Sequence, residues 1–245
     1  MQDACAMRCF SFLLVLVWVG FSQVSYAQSD DDGCPTGEAE AMLDVGNVRA
    51  RIFNNGGLFW RGSPHVYEVP KDSGISSIFV TSLWVGGLVG GELRTAATRY
   101  GPYEFWPGPL GVQADPDANC GAAYDRLYSI RRDDIVGYER NGNLTDDLRD
   151  WPVHLGAPVL DGDGVPDNYN LAGGDRPELL GDQTEWWVMN DAGGVHEETD
   201  SPPIGLEACV TAFAFDVPGT VGTSTFYRYR FTYHGDASLD SIPFK

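Results

Sequence analysis

Short runs of alternating apolar and polar residues, separated by glycine and proline turns, limit most strongly what this chain can fold into. In residues 48–52, Val48, Ala50 and Ile52 lie on one side of an extended strand, and two arginines lie on the other. Residues 54–57, Asn-Asn-Gly-Gly, then supply the positive backbone angles of a tight hairpin turn. The pattern predicts a half-buried antiparallel strand and its return.

Similar segments recur along the chain. Further strands are predicted at residues 76–89, 92–100, 124–130, 185–190, 205–216 and 224–234. In the last of them, the odd-numbered aromatic residues from 227 to 233 share one face. Helices predicted at 132–138 and 144–151, the second capped by Thr145, are too short to cross over between parallel strands. The chain is therefore predicted to be all-β, an antiparallel β-sandwich with long loops and one or two short helices.

The N-terminus predicts export. Residues 10–21 are apolar, and Ser25-Tyr26-Ala27 places small residues at the two positions that signal peptidase recognises. Residues 1–27 are thus a predicted signal peptide and residues 28–40 a polar leader. The apolar run is shorter than the roughly 20 residues that span a bilayer, so no membrane span is expected in the mature chain.

Residues 41–245 are predicted to form the β-sandwich ectodomain. The sequence reaches Lys245 directly after a predicted strand and its turn. We therefore expect that the chain is truncated at its C-terminus and that further strands would cover the last edge of the sheet.

The charge of the chain bears on its partners. Asp and Glu number 35 against 16 Lys and Arg, which gives a formal net charge of -19. Phosphates would be repelled, so nucleic acid and anionic membranes are not expected partners. The charge is typical of adaptation to a salty exterior and equally of an acidic secreted protein with calcium sites. A surface glycan or a cell-wall component is the kind of partner that we expect.

Residues 161–170, DGDGVPDNYN, concentrate short oxygen-bearing side chains between glycines and predict a calcium loop. Calcium takes about six to eight oxygen ligands. The predicted ligands are Asp161, Asp163, the carbonyl of Val165, Asp167, Asn168, Asn170 and Asp175. An ordinary EF-hand is excluded, because its first and twelfth ligand positions would fall on Val159 and Asn170. The alternative is a solvated turn that binds no metal.

Three cysteines remain once Cys5 and Cys9 leave with the signal peptide. An odd number in an oxidising compartment implies one disulfide and one further thiol, or a partner outside this chain. Cys34 and Cys120 lie in loop-like sequence and are the predicted pair. Cys209 lies within a predicted strand and is expected to be a small buried hydrophobe.

Aromatic residues leave two alternatives open. Residues 101–111 contain three prolines and are predicted not to form a ladder. Their aromatic side chains either line a surface groove or fold inward over the end of the sandwich, and the second is favoured. Trp186 and Trp187 are successive residues of a predicted strand, so their side chains are expected on opposite faces of the sheet. One is expected in the core, and the other is either covered or exposed as a sugar platform. A covered indole is favoured.

Catalytic signatures are scarce. The sequence has no GxSxG motif, and His196 lacks the second histidine of a zinc-protease helix. The main hypothesis is therefore a secreted, calcium-stabilised structural, adhesive or recognition module without catalysis. The alternative is a carbohydrate-active protein, a lectin-like binder or glycoside hydrolase that uses exposed tryptophan and paired carboxylates. Its candidate carboxylates are Asp175, Asp182, Glu185 and Glu207.

Several blocks of sequence also carry a resemblance. They include LDVGNVRARIFNNGGLFW, YEVPKDSGISSIFVTSLWVGGL, EFWPGPLG, YDRLYSIRRDDI and TFYRYRFTYHG, in that order, and DGDGVPDN resembles one unit of a thrombospondin type 3 repeat. Together they resemble the N-terminal region of large secreted proteins of Bacteroidota that end in a type IX secretion sorting domain. The resemblance covers most of residues 41–245 and implies a β-rich ectodomain exported to the cell surface or medium. It implies no catalytic residues.

Overall fold

The structure is a computed structural model that describes residues 34–111 and 119–240. The first sheet contains β1 (Glu40–Leu43), β2 (Arg49–Phe53), β3 (Gly57–Leu58), β4 (Tyr67–Glu68) and β5 (Thr81–Ser82). Its order is β1-β2-β3-β5, and β4 also pairs with β2. A hairpin of β6 (Trp84–Val89) and β7 (Glu92–Ala97) follows, and β15 (Leu239–Asp240) pairs with β6. Gly90 and Gly91 make the predicted turn with φ values of 59° and 86°.

The second large sheet, here called the central sheet, has five strands. It contains β8 (Trp106–Pro107), β9 (Tyr128–Arg131), β12 (Gln183–Asn190), β13 (Leu206–Ala214) and β14 (Thr225–Tyr233). The order is β14-β13-β12-β8, and β9 also pairs with β12. All strand pairs of the described residues are antiparallel, which confirms the all-β antiparallel prediction.

The connection from β9 to β12 carries the remaining elements. These are α1 (Arg132–Asn141), α2 (Asp146–Arg149), β10 (Val159–Leu160), β11 (Arg176–Pro177) and 3-10 turns at Val153–Leu155 and Leu171–Gly173. Two more 3-10 turns lie at Asn119–Tyr124 and Val221–Thr223. Thr145 caps α2 as predicted, because its hydroxyl accepts a hydrogen bond from the Leu148 N–H at 3.3 Å.

Both faces of the central sheet are covered, and all eight residues of β12 are buried. One face packs against the first sheet and the β6–β7 hairpin in an apolar cluster that includes Ile52, Val85 and Trp187. The other face packs under the β9–β12 connection in a second cluster that includes Leu148 and Trp186. The prediction that one indole lies on each face, with both covered, is confirmed, since each is 1% exposed.

Several predicted boundaries were wrong. The strand predicted at 76–89 is interrupted, and only residues 81–82 and 84–89 form strands. The strand predicted at 124–130 begins at Tyr128, since the preceding residues form a 3-10 turn. The helix predicted to end at 138 continues to Asn141, where Gly142 ends it in the left-handed conformation at φ 71°.

The prediction that residues 101–111 form no ladder was also wrong. Trp106 and Pro107 pair with Asn190 and Met189 of β12. Proline is tolerated because β8 lies at the edge of the sheet, and the next residue, Gly108, donates its N–H to the Val188 carbonyl at 3.0 Å. The favoured inward packing of the aromatic side chains is confirmed for Phe105 and Trp106, which are 1% and 4% exposed.

Other predictions concern the chain ends and the cysteines. The predicted signal peptide 1–27, the leader up to residue 33 and the last five residues lie outside the described residues, as does the side chain of Cys120. The Cys34–Cys120 disulfide therefore stays a prediction. Cys209 is buried, as predicted. Among the described residues, no helix has the length and apolar character needed to cross a membrane.

Candidate metal centre

A short hairpin closes the predicted calcium loop at its base. Val159 pairs with Pro177 and Leu160 with Arg176, so residues 161–175 form a loop with fixed ends. Tyr169 ties this loop to the layer that covers the central sheet, since its hydroxyl donates to the Leu148 carbonyl at 2.6 Å. The loop is thus part of the cover over the Trp186 face.

Three of the predicted ligands converge inside the loop. One carboxylate oxygen from each of Asp161, Asp163 and Asp175 lies within 4.8 Å of the other two. Asp175 is 1% exposed, whereas Asp161 is exposed and Asp163 is half-buried. The group therefore has one buried member and opens to solvent on its other side, so a cation could enter.

Backbone hydrogen bonds hold two of these carboxylates in place. Asp161 Oδ1 accepts from the N–H groups of Asp163 and Gly164 at 3.1 and 2.6 Å. The two oxygens of Asp175 accept from Gly162 and Asn170 at 2.9 and 2.6 Å, which joins the start of the loop to its end. The carboxylates are thus positioned by the loop backbone before any ligand binds.

Asp163 lies among amide groups. Asn170 and Asn168 place their Nδ2 atoms 3.0 and 3.1 Å from its Oδ2, and the Val165 N–H lies 2.9 Å from its Oδ1. The hydrogen bond from Asn170, followed by those from Val165 and Asn168, lowers the pKa of Asp163 below its usual value. Each asparagine side chain also carries an oxygen, so both remain candidate ligands around an ionised carboxylate.

No ion pair in the described part of the chain neutralises the charge of this group, since none includes Asp161, Asp163 or Asp175. Arg176, next in the chain, donates instead to the carbonyls of Leu171 and Asp175 and to Glu139. Like charges about 4 Å apart repel by about 1 kcal/mol even in water. A divalent cation would remove this repulsion.

Glycines allow the loop to close this tightly. A Cβ atom on Gly162 would lie 2.3 Å from the carbonyl carbon and oxygen of Gly174. A Cβ atom on Gly173 would lie 2.8 Å from Asp163 Oδ2 and 2.4 Å from Asn170 Nδ2. The three converging carboxylates offer only oxygen ligands and the backbone packs closely around them, so they fit a hard divalent cation such as calcium.

The structure does not place Asp167 in this group, although the sequence predicted it as a ligand. Its backbone turns at φ 61°, and it lines a separate polar cavity of about 540 Å³ with His154, Glu207, Arg230 and His234. Residue spacing alone did not show that Asp167 lies outside the group. The Val165 side chain is exposed, and the role of its carbonyl as a ligand stays a prediction.

The carboxylates considered for glycoside hydrolysis have other local partners. Asp182 pairs with Arg132 at 2.7 Å, and Glu207 contacts His234 at 3.3 Å and accepts from the Leu110 N–H. Glu185 is fully buried; desolvation raises its pKa to about 8, and its hydrogen bonds from Ser129 and Gln183 reduce that rise. Glu185 is therefore mostly neutral at pH 7.

The exposed tryptophan that the carbohydrate hypothesis required is not found at the predicted positions. Trp106, Trp186 and Trp187 are each 4% exposed or less. Sequence reasoning missed a different aromatic group, here called the surface aromatic cluster: Trp60, His65, Phe79 and Tyr100. Phe79 and Tyr100 are 47% and 55% exposed, and Phe79 stacks on Trp60 with ring centroids 5.6 Å apart. The sequence offered little signal for this cluster: Tyr100 ends one predicted strand, and Phe79 lies within another.

Comparison with family models, curated proteins and solved structures found no match for this chain.

Proposed function

We propose that this protein is an exported, calcium-stabilised structural, adhesive or recognition module of the cell surface that acts without catalysis. The observation that supports the proposal is the convergence of Asp161, Asp163 and Asp175 inside a loop whose ends are joined by a β-hairpin, with no ion pair to these carboxylates among the described residues. Calcium bound there by the folded state alone would stabilise the cover over the Trp186 face.

Calcium removal tests this proposal. Thermal unfolding is measured in 5 mM calcium and in excess chelator, and calcium binding is measured by titration calorimetry. Extracellular calcium loops bind with dissociation constants of about 10⁻⁴ to 10⁻³ M, so we expect about 1 to 2 kcal/mol of stabilisation at that calcium concentration. An unchanged midpoint together with no binding heat would reject the metal site.

Two variants of the same loop make the test specific. Asp163→Asn removes a charge from the three-carboxylate group, and we expect it to abolish most of the calcium effect. Asp167→Asn removes the same charge at an exposed position outside the group, and we expect the full calcium effect to remain. Equal losses in both variants would indicate a diffuse charge effect rather than a site.

A second candidate function, carbohydrate binding, is favoured by the surface aromatic cluster. Exposed aromatic groups on a soluble domain mark binding surfaces, and the apolar faces of sugars stack on such rings. A glycan array together with a reducing-sugar assay distinguishes a binder from a hydrolase. Under this hypothesis, Tyr100→Ala and Phe79→Ala would each reduce glycan retention, while the calcium response would be unchanged.

A further inference from the structure

The polar cavity of about 540 Å³ lies between the central sheet and the β9–β12 connection. Its sheet side is formed by Glu207 of β13, by Arg230 of β14 and by His234, which follows β14. The connection contributes residues 153–156 and Asp167. Small-molecule sites usually have volumes of about 300 to 1,000 Å³. The cavity is therefore large enough for a small polar ligand.

The lining contains a cation and a carboxylate that are close together but do not form an ion pair with each other. Cys209 Sγ lies 3.5 Å from Arg230 Nη2 and 4.0 Å from Glu207 Oε1, so these two atoms are at most 7.5 Å apart. The ion pairs of the described residues do not join Arg230 to Glu207. An α-amino acid carries its ammonium and its carboxylate on one carbon atom, so it fits a gap of this size.

Neighbouring groups hold both charged side chains in place. Arg230 Nη2 donates to the Gly156 carbonyl at 3.0 Å, and a Cβ atom on Gly156 would lie only 2.4 Å from this nitrogen. Glu207 Oε2 accepts from the Leu110 N–H at 2.8 Å and lies 3.3 Å from His234 Nε2. Guanidinium and carboxylate groups each take several hydrogen bonds, so both can also bind a ligand. Little ordering is needed when the ligand arrives.

The charge of the lining indicates which amino acid fits. Among the lining residues, Arg230 is the cation and Asp167 and Glu207 are the carboxylates, so with neutral histidines one negative charge is left over. The whole chain has a net charge of -19, which repels anions such as acidic sugars. An amino acid with a basic side chain has one net positive charge and complements the lining. Val153 and Leu155 also line the cavity and suit the apolar stem of such a side chain.

We propose that this cavity binds a free amino acid with a basic side chain, of the lysine class. The carboxylate of the ligand would lie against Arg230, its α-ammonium against Glu207 and its side-chain ammonium toward Asp167. This proposal goes beyond the calcium-stabilised module and does not rest on calcium binding.

Titration calorimetry with L-lysine and two blocked forms tests the proposal. Lysine amide lacks the carboxylate, and Nα-acetyl-lysine lacks the α-ammonium. We expect L-lysine to bind and each blocked form to bind about tenfold more weakly, because each loses one charged contact. Galacturonate serves as the acidic sugar and should bind more weakly than L-lysine. No binding of L-lysine, equal binding of the blocked forms, or tighter binding of galacturonate would overturn the proposal.

Variants assign each contact to its residue. Glu207→Gln keeps an acceptor for the Leu110 N–H and should weaken L-lysine about tenfold while changing Nα-acetyl-lysine little. Arg230→Gln should in the same way weaken L-lysine and change lysine amide little. Arg228→Gln, on the same strand but outside the lining, is the matched control and should bind L-lysine like the wild type.

Equal losses for L-lysine and the blocked forms in both cavity variants would show a change of fold or a diffuse charge effect and would contradict the proposed contacts. All titrations are run in calcium and in excess chelator. L-lysine should bind under both conditions, so failure of the metal site and failure of this cavity give different results.

Discussion

The two faces of the central sheet are covered in different ways. On the Trp187 face, apolar side chains of two sheets pack together, and strand pairing fixes the backbone on both sides. On the Trp186 face, the cover is the long β9–β12 connection. This connection contains two helices, short 3-10 turns and a hairpin whose strands, β10 and β11, have two residues each. Individual contacts hold this cover, such as the hydrogen bond from Trp151 Nε1 to the Pro158 carbonyl at 2.9 Å. The first face thus depends on burial, and the second also on hydrogen bonds and carboxylates.

The largest effect that we expect separates the two faces directly. Trp187→Ala and Trp186→Ala each remove a buried indole and should lower the free energy of unfolding by about 3 to 5 kcal/mol. Calcium removal should add to the loss in Trp187→Ala, since the loop does not cover that face. In Trp186→Ala it should add less than in the wild type, because the two changes share one cover.

Denaturant unfolding with and without chelator measures this coupling as a thermodynamic cycle. Equal coupling to calcium for both tryptophans would contradict the distinction between the faces.

The next effect concerns pH and the buried Glu185, whose pKa desolvation raises from 4.5 to about 8. The folded state holds this proton more tightly than the unfolded state does. The contribution of protonated Glu185 to the stability of the folded state is therefore fully present below pH 4.5 and is lost as the pH rises through about 8. Between pH 5 and pH 8 the loss should be roughly 3 kcal/mol.

Glu185→Gln removes this titration and keeps the acceptor for Ser129 and Gln183. The variant should show a flatter pH profile and be more stable than the wild type at pH 8. A wild-type profile of unchanged slope in Glu185→Gln would show that other groups cause the pH dependence.

A smaller effect tests the close packing of the loop formed by residues 161–175. Gly162→Ala places a methyl group 2.3 Å from the Gly174 backbone, so the loop must open. We expect about 2 kcal/mol of destabilisation and loss of calcium binding by calorimetry. Full calcium affinity in this variant would mean that the closed loop is not the binding conformation.

The smallest effect concerns the cap of α2, which supports the same cover. Thr145→Ala removes the acceptor for the Leu148 N–H and should cost about 1 kcal/mol in thermal unfolding. Thr145→Ser keeps the hydroxyl and should restore most of that loss. If the serine variant were no more stable than the alanine variant, the cap would not contribute.

Local patterns in the sequence predicted much of the sheet structure. The alternation in residues 48–52, the Gly90-Gly91 turn and the Thr145 cap depend on neighbours within a few residues, and the structure contains all three. The opposite directions of Trp186 and Trp187 follow from the two-residue period of a strand. The pairing of β8 was missed, because whether proline is tolerated depends on the position of the strand in the sheet.

The candidate site was predicted only in part, because local sequence shows which residues are close in the chain but not where each side chain lies in the fold. Asp161, Asp163 and Asp175 converge, and the glycine-rich sequence between and around them indicated a tight loop. Asp167 lies only four residues from Asp163 but is outside the group and lines a separate cavity, and its backbone has a φ of 61°. The surface aromatic cluster joins residues 40 positions apart in the chain, from Trp60 to Tyr100, and no local pattern reports such a contact.

The sequence by itself determined where apolar and polar residues alternate, where the chain turns and where carboxylate oxygens are concentrated. Those properties depend on side-chain type and short-range backbone geometry. Only the tertiary structure decided that both indoles of β12 are covered and that Glu185 is buried and mostly neutral. The physical reason is that burial and strand order come from contacts between residues far apart in the chain, where the packing of whole sheets outweighs local preference.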